Sequence, residues 1–246
     1  MKNFLNFIAG LLWLTAGAAS AALPALAADS AALDRSYIPA LMLSNGKDQA
    51  KAQAALAAYD QAWLAFAERQ RKAYPGDAGW TRTLAIVDQA NARARADIAA
   101  GKLADAHNAQ EDVRHALWHQ RQAMGVAYQP DALTDFHAAM ELVIASTADK
   151  APQAIDAAAI AQLRTQLAAA RTQWQAVKSA QWTPADYGIE GARLDAYLAA
   201  VAGEDRALDE LTAALDAADG ARIVKAGPAL KPPFAKAYAA FGVFPQ

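Results

Sequence analysis

No cysteine occurs in the 246 residues of the chain. That absence excludes a disulfide framework, thiolate metal sites, covalent haem attachment through Cys-x-x-Cys-His and a cysteine nucleophile. Any metal ion must then be held by histidine, carboxylate or methionine. Basic clusters are missing too. The 23 Lys and Arg are interspersed with 25 Asp and Glu, for a formal net charge of −2, so the electrostatic footprint of a nucleic-acid binder is absent. β-Branched residues are sparse, and no stretch alternates apolar with polar residues as a half-buried strand does. Neither a Gly-x-Ser-x-Gly elbow, nor a glycine-rich phosphate loop, nor a His-Glu-x-x-His zinc-protease motif is present, which leaves the common hydrolase and nucleotide chemistries without a motif.

What is present begins with an export signal. Lys2 precedes an almost wholly apolar run from Phe4 to Thr15, followed by small residues and Ala25-Leu26-Ala27. A cationic start, an apolar run and an Ala-x-Ala site together predict a signal peptide over residues 1–27 and a periplasmic destination. The alternative, a retained membrane anchor, is disfavoured because the run is short and ends in alanine. Residues 28–246 follow, with no expected membrane span.

Alanine dominates this remainder, with Leu, Gln, Arg and Asp beside it. Alanine has the highest helix propensity, so the expected fold is all-α, an antiparallel helical bundle. An irregular segment is expected over residues 28–47, around Pro39. Helices are expected near 48–73, 81–100, 102–124, 131–148, 154–181, 190–202 and 204–217, with a last short one near 233–241 after Pro228, Pro232 and Pro233. Asp131 or Thr134 is expected to cap the fourth of them. Asp186-Tyr187-Gly188 and Lys231-Pro232-Pro233-Phe234 read as turns. Trp63, Trp80, Trp118, Trp174 and Trp182 read as packing residues.

Two parts of the chain echo each other. Leu56-Ala57-Ala58, Trp63 and Gln70 match Leu167-Ala168-Ala169, Trp174 and Gln181 at an offset of 111, and Gly125 matches Gly242 at an offset of 117. At that second offset Lys231 stands where Arg114 does. Either a helical unit is duplicated, with halves at 48–150 and 151–246, or alanine-rich composition produces the match by coincidence.

All four histidines lie between His107 and His137. On one expected helix His107, Glu111, His115 and His119 follow in steps of four. On the next, His137 and Glu141 repeat the step. Residues four apart share a helix face and can hold one ion between them. Folding the two helices back as a hairpin brings His119 level with His137 and His115 level with Glu141. These four are the expected ligands of a divalent transition metal, with His107 and Glu111 as alternative partners. The helical phase is less favourable: Glu111 and His115 point nearly opposite the apolar face of Val113 and Leu117. A solvated polar face with incidental histidines is the competing reading. Arg114 and Arg121 suit either an anion or salt bridges between helices.

In architecture the chain resembles exported four-helix-bundle proteins of the cytochrome b562 and cytochrome c′ type, over about half its length and without a shared motif. That resemblance implies a b-type haem, held by a His with Met42, Met124 or Met140, as the other cofactor to consider. The expected function is a non-enzymatic periplasmic bundle that binds metal or haem. The alternative is a helical module without cofactor that docks a periplasmic protein partner.

Overall fold

A computed structural model of the chain describes the backbone of residues 14–245 and the side chains of residues 25–245. The first 13 residues of the expected signal peptide, and the side chains of its first 24, therefore lie outside the described residues. Within them the protein is all-α. Nine helices run α1 (Leu14–Ser44), α2 (Gln49–Ala73), α3 (Ala78–Ala99), α4 (Leu103–Ala123), α5 (Gln129–Thr147), α6 (Ala157–Ser179), α7 (Ala192–Asp216), α8 (Gly220–Ala226) and α9 (Lys231–Ala239). Single 3₁₀ turns at Pro152–Ala154, Pro184–Tyr187 and Pro228–Leu230 complete the order. No strand occurs among the described residues.

Local sequence explains where several helices start. Asp48, Asp77, Asp156 and Asp219 each stand just before a helix and accept the backbone N–H three residues on, at 2.7–3.1 Å. Such caps satisfy donors that the first turn leaves open. Neither Asp131 nor Thr134 caps α5. That helix already begins at Gln129, and the Asp131 carboxylate turns to Arg121. Pro130 at the start of α5 costs nothing there, because its missing N–H would have no intrahelical partner.

Three expectations need correction, and each has a tertiary reason. Residues 28–47 are not irregular: all but the last three belong to α1, and Pro39 sits inside that helix. The Pro39 ring leaves the Arg35 carbonyl without its intrahelical donor. The Val243 N–H supplies one from the far end of the chain, at 2.7 Å. Gly242 permits this approach, since a Cβ there would lie 2.9 Å from Pro39 Cδ. Residues 190–202 and 204–217 are not two helices but one, α7. Gly203 lies within it and serves packing, because a Cβ there would come 3.2 Å from Pro233 Cβ on α9. Lys231–Phe234, expected as a turn, opens α9, preceded by the unexpected α8.

The helices pack mainly on their neighbours in the chain. α1 pairs with α2 and α3 with α4, while α5 pairs with α6 and α7 with α8 and α9. α5 thus packs chiefly on α6 and the C-terminal helices, and touches α4 over a short stretch. Trp63 on α2 donates through Nε1 to Asp88 on α3 at 2.7 Å. Trp174 on α6 donates in the same way to Asp205 on α7 at 2.9 Å. Asp88 and Asp205 stand 117 residues apart, and the two tryptophans 111. Arg95 on α3 reaches Asp60 on α2 at 2.8 Å, and Arg171 on α6 reaches Thr212 on α7 at 2.7 Å. The buried stripe of α2, namely Ala52, Ala55, Leu56, Tyr59, Trp63, Phe66, Ala67 and Gln70, steps by three and four residues. Its alanines let neighbouring helices approach closely, and its aromatics bury large apolar area.

Candidate functional site

α4 carries most of the candidate residues, and its phase sorts them. Ala106, Ala109, Gln110, Val113, Arg114, Leu117, Gln120 and Arg121 are buried. His107 and Glu111 are half-buried at the edge of that face, and His115 and His119 are exposed.

The inner residues form one polar chain across four helices. His107 Nδ1 lies 2.9 Å from the Leu41 carbonyl of α1 and therefore carries the proton donated to it. Its Nε2 faces Glu111 Oε1 at 3.5 Å. Glu111 Oε2 accepts from Arg114 Nη2. The same Nη2 donates to His137 Nδ1 on α5, at 2.8 Å. Because Arg114 can only donate, a neutral His137 must carry its proton on Nε2, which lies 3.3 Å from Glu141 Oε1. Glu141 also accepts from Lys231 Nζ of α9 at 2.9 Å. Arg114 and Lys231, which stand 117 residues apart, thus approach the His137–Glu141 pair from α4 and from α9.

Burial and charge set the protonation states along this chain. Burial pulls the His137 imidazole below its ordinary pKa, and Arg114 adds to that effect. The His137 hydrogen bond, helped by Lys231, holds the Glu141 carboxyl down to about 2. Phe234 stacks on the His137 ring with centroids 5.0 Å apart.

A second buried group lies two turns along α4. Arg121 grips Asp131 with three hydrogen bonds, from Nε to both carboxylate oxygens and from Nη2 to one, and stands 4.5 Å from the Tyr128 ring centroid. Tyr128 donates to Asp34 of α1 at 2.7 Å. Burial outweighs the nearby Arg121 and pushes the Asp34 carboxyl up to about 6. Of the two options for these arginines, Arg121 makes the salt bridge between helices, to Asp131 of α5, whereas Arg114 pairs with Glu111 on its own helix and reaches α5 by its hydrogen bond to His137.

The four-ligand arrangement expected across α4 and α5 is not assembled. Among the described residues no three His, Asp or Glu side chains converge as an ion would require. The reason is helical phase. His137 and Glu141 point toward Arg114 and Lys231, while His115 and His119 project from the outer side of α4. His107 and Glu111, the alternatives, do join His137, but through the Arg114 guanidinium. Arg114 is only 4% exposed and occupies the space between the two acceptors. His115 and His119 have no hydrogen-bond or ion-pair partner among the described residues, and His119 lies against Trp118 with ring centroids 4.3 Å apart. Partial burial and Arg114 draw the His115 pKa below its ordinary value.

Sequence reasoning missed Asp34, Tyr128 and the buried Glu204, none of which stands in a motif. Comparison with known protein families, with curated proteins and with solved structures finds no match to this chain.

Proposed function

We propose that the protein is an exported, non-catalytic helical bundle that binds a divalent transition-metal ion on the outer face of α4, through His115 and His119. The observation that carries this reading is the sorting of the four histidines. His107 and His137 are engaged by the Leu41 carbonyl, Glu111, Arg114 and Glu141. His115 and His119, one turn apart on a long helix, are exposed and unpartnered among the described residues. Imidazoles at this spacing can bind one ion together, with water completing the coordination. Without thiolate the set suits Zn, Cu or Ni. Export, with cleavage after Ala27 and a periplasmic location, is supported by the pattern of the first 27 residues.

The test is calorimetric titration of Zn(II) and Cu(II) into wild type, His115→Ala, His119→Ala and His137→Ala. The first two substitutions should each weaken binding about tenfold or more, since even the outer partners of metal ligands matter on that scale. His137→Ala should leave affinity unchanged. Loss of binding in His137→Ala alone would return the site to the α4–α5 contact. Equal affinities in all four proteins would overturn metal binding by these histidines and favour the protein-docking module. A Soret band in the purified protein would overturn it in favour of haem.

A further inference from the structure

We propose that the pocket between α1 and the α6–α7 connection binds a small organic cation of the quaternary-ammonium class. The pocket encloses about 490 Å³ and is lined by Ala27, Ala28 and Ala31 of α1 and by Trp182, Asp186 and Tyr187 of the connection. That volume is in the range of small-molecule sites. The alanines offer only methyl groups, so α1 leaves the space in front of the connection unfilled.

Charge and aromatic surface fix the class of ligand. Asp186 is the one charged residue of the lining; Ala127, Gln181 and Thr183, which complete it, are neutral. Asp186 is exposed and has no ion-pair partner among the described residues. Arg35 comes close to the same loop, where a Cβ on Gly188 would lie 3.3 Å from its Nη1, but it neither lines the pocket nor pairs with Asp186. Trp182 and Tyr187 stand nearly at right angles, with centroids 5.3 Å apart. Tyr197 and Phe241 pack on Trp182 at 5.3 and 5.5 Å. Tyr187 packs on Tyr128 at 5.6 Å and accepts the Gln129 N–H at 3.4 Å. The rings are therefore held in place before a ligand arrives, which lowers the ordering cost of binding. Their negative faces attract a cation, and the carboxylate adds a Coulombic attraction while repelling anions. One carboxylate does not replace the water shell of a metal ion. A quaternary ammonium is weakly hydrated and covers ring surface with its methyl groups.

This inference is independent of the metal ion proposed for α4. The proposed cut after Ala27 would take one alanine from the wall and leave the rings and the carboxylate. It would also place the new α-ammonium on Ala28, within the lining, so the chain's own terminus is a second source of the same chemistry.

The experiment is calorimetric titration of choline, and of its neutral isostere with carbon in place of the ammonium nitrogen, into the mature protein. The same titrations are run on Asp186→Asn, on Trp182→Leu and on mature protein acetylated at its α-amino group. Choline should bind and the neutral alcohol should bind at least several-fold more weakly. Trp182→Leu should weaken choline binding about fivefold, the scale of one partly desolvated cation–π contact. Asp186→Asn should weaken it a few-fold and, at an exposed position, leave far-UV circular dichroism unchanged, so it tests the site even where Trp182→Leu does not fold. Choline binding that appears only after acetylation supports the site and identifies the terminal ammonium as its resident cation; this arm alone rests on the export reading. Equal affinity for choline and the alcohol would overturn recognition of charge. Asp186→Asn binding choline as tightly as wild type, or no binding with or without acetylation, would overturn the site.

Discussion

Glu204 lies on α7 with its carboxyl wholly buried and neither oxygen hydrogen-bonded. The residue 117 positions earlier is Val87, also buried. Burial pushes the Glu204 carboxyl up to about 8, and the neighbouring Asp205 carboxylate adds to the shift. In the unfolded chain a glutamate titrates near 4.5. Between those values the folded protein keeps a proton that the unfolded chain releases, so stability falls as pH rises from about 4.5 to about 8. Glu204→Met should therefore stabilise the protein, by roughly 3 kcal/mol more at pH 8 than at pH 5. Urea unfolding of both proteins at the two pH values measures this, and an equal gain at both would show that Glu204 does not titrate in that window. Nothing in the sequence around Glu204 distinguishes it from the exposed Glu210, because both stand in the same helical, alanine-rich pattern. The histidines were legible as a group from their spacing. Which two of them turn outward depended on the rotation of α4 against its neighbours.

At the scale of elements, the α4–α5–α9 contact is held by the alternation of donors and acceptors from Glu111 to Lys231. His137 is its sensitive member. A second proton on this imidazole would go to Nδ1, the atom that accepts from Arg114 at 2.8 Å. Two donors would then face each other. The lowered pKa of His137 has the corresponding sign: below the ordinary value of about 6.5 the unfolded chain takes up a proton that the folded one resists, so stability falls as pH falls through that value. Glu141 acts in a separate window, its depressed pKa favouring the folded state above about 4.5 and losing that contribution as pH falls toward about 2. His137→Gln keeps an acceptor for Arg114 and a donor for Glu141, but does not titrate. Its thermal midpoint should change less between pH 7 and pH 5 than that of wild type, and the same drop in both proteins would remove His137 from the account. α1 and α7 teach the same lesson about prediction. Pro39 and Gly203 are reliable stop signals for an isolated helix. Here a remote Val243 N–H mends the first, and the Pro233 ring of α9 packs over the second.

For the whole molecule, the proposed export cut has a structural consequence. α1 continues through Ala27, and Leu26 just before it is 2% exposed. A chain beginning at Ala28 would lose that buried side chain but keep Asp29 in its first turn, where the carboxylate accepts from Arg69 and Gln70 and a negative charge favours the helix dipole. A protein starting at Ala25 should thus be more stable than one starting at Ala28, by about 2 kcal/mol for one buried leucine. Denaturant midpoints of the two proteins decide this, and coincident midpoints would show that Leu26 contributes nothing. Taken alone, the sequence determined the all-helical class, most of the helix ends and the confinement of histidine to one region. Those follow from propensity, capping and spacing, which act over a few residues and can be read one turn at a time. Only the tertiary structure decided that α1 runs through Pro39, that Trp63 and Trp174 bond Asp88 and Asp205, and that Arg114 stands between Glu111 and His137. Each of those depends on the rotation of one helix against a partner distant in sequence, a quantity set by how all the buried faces pack together.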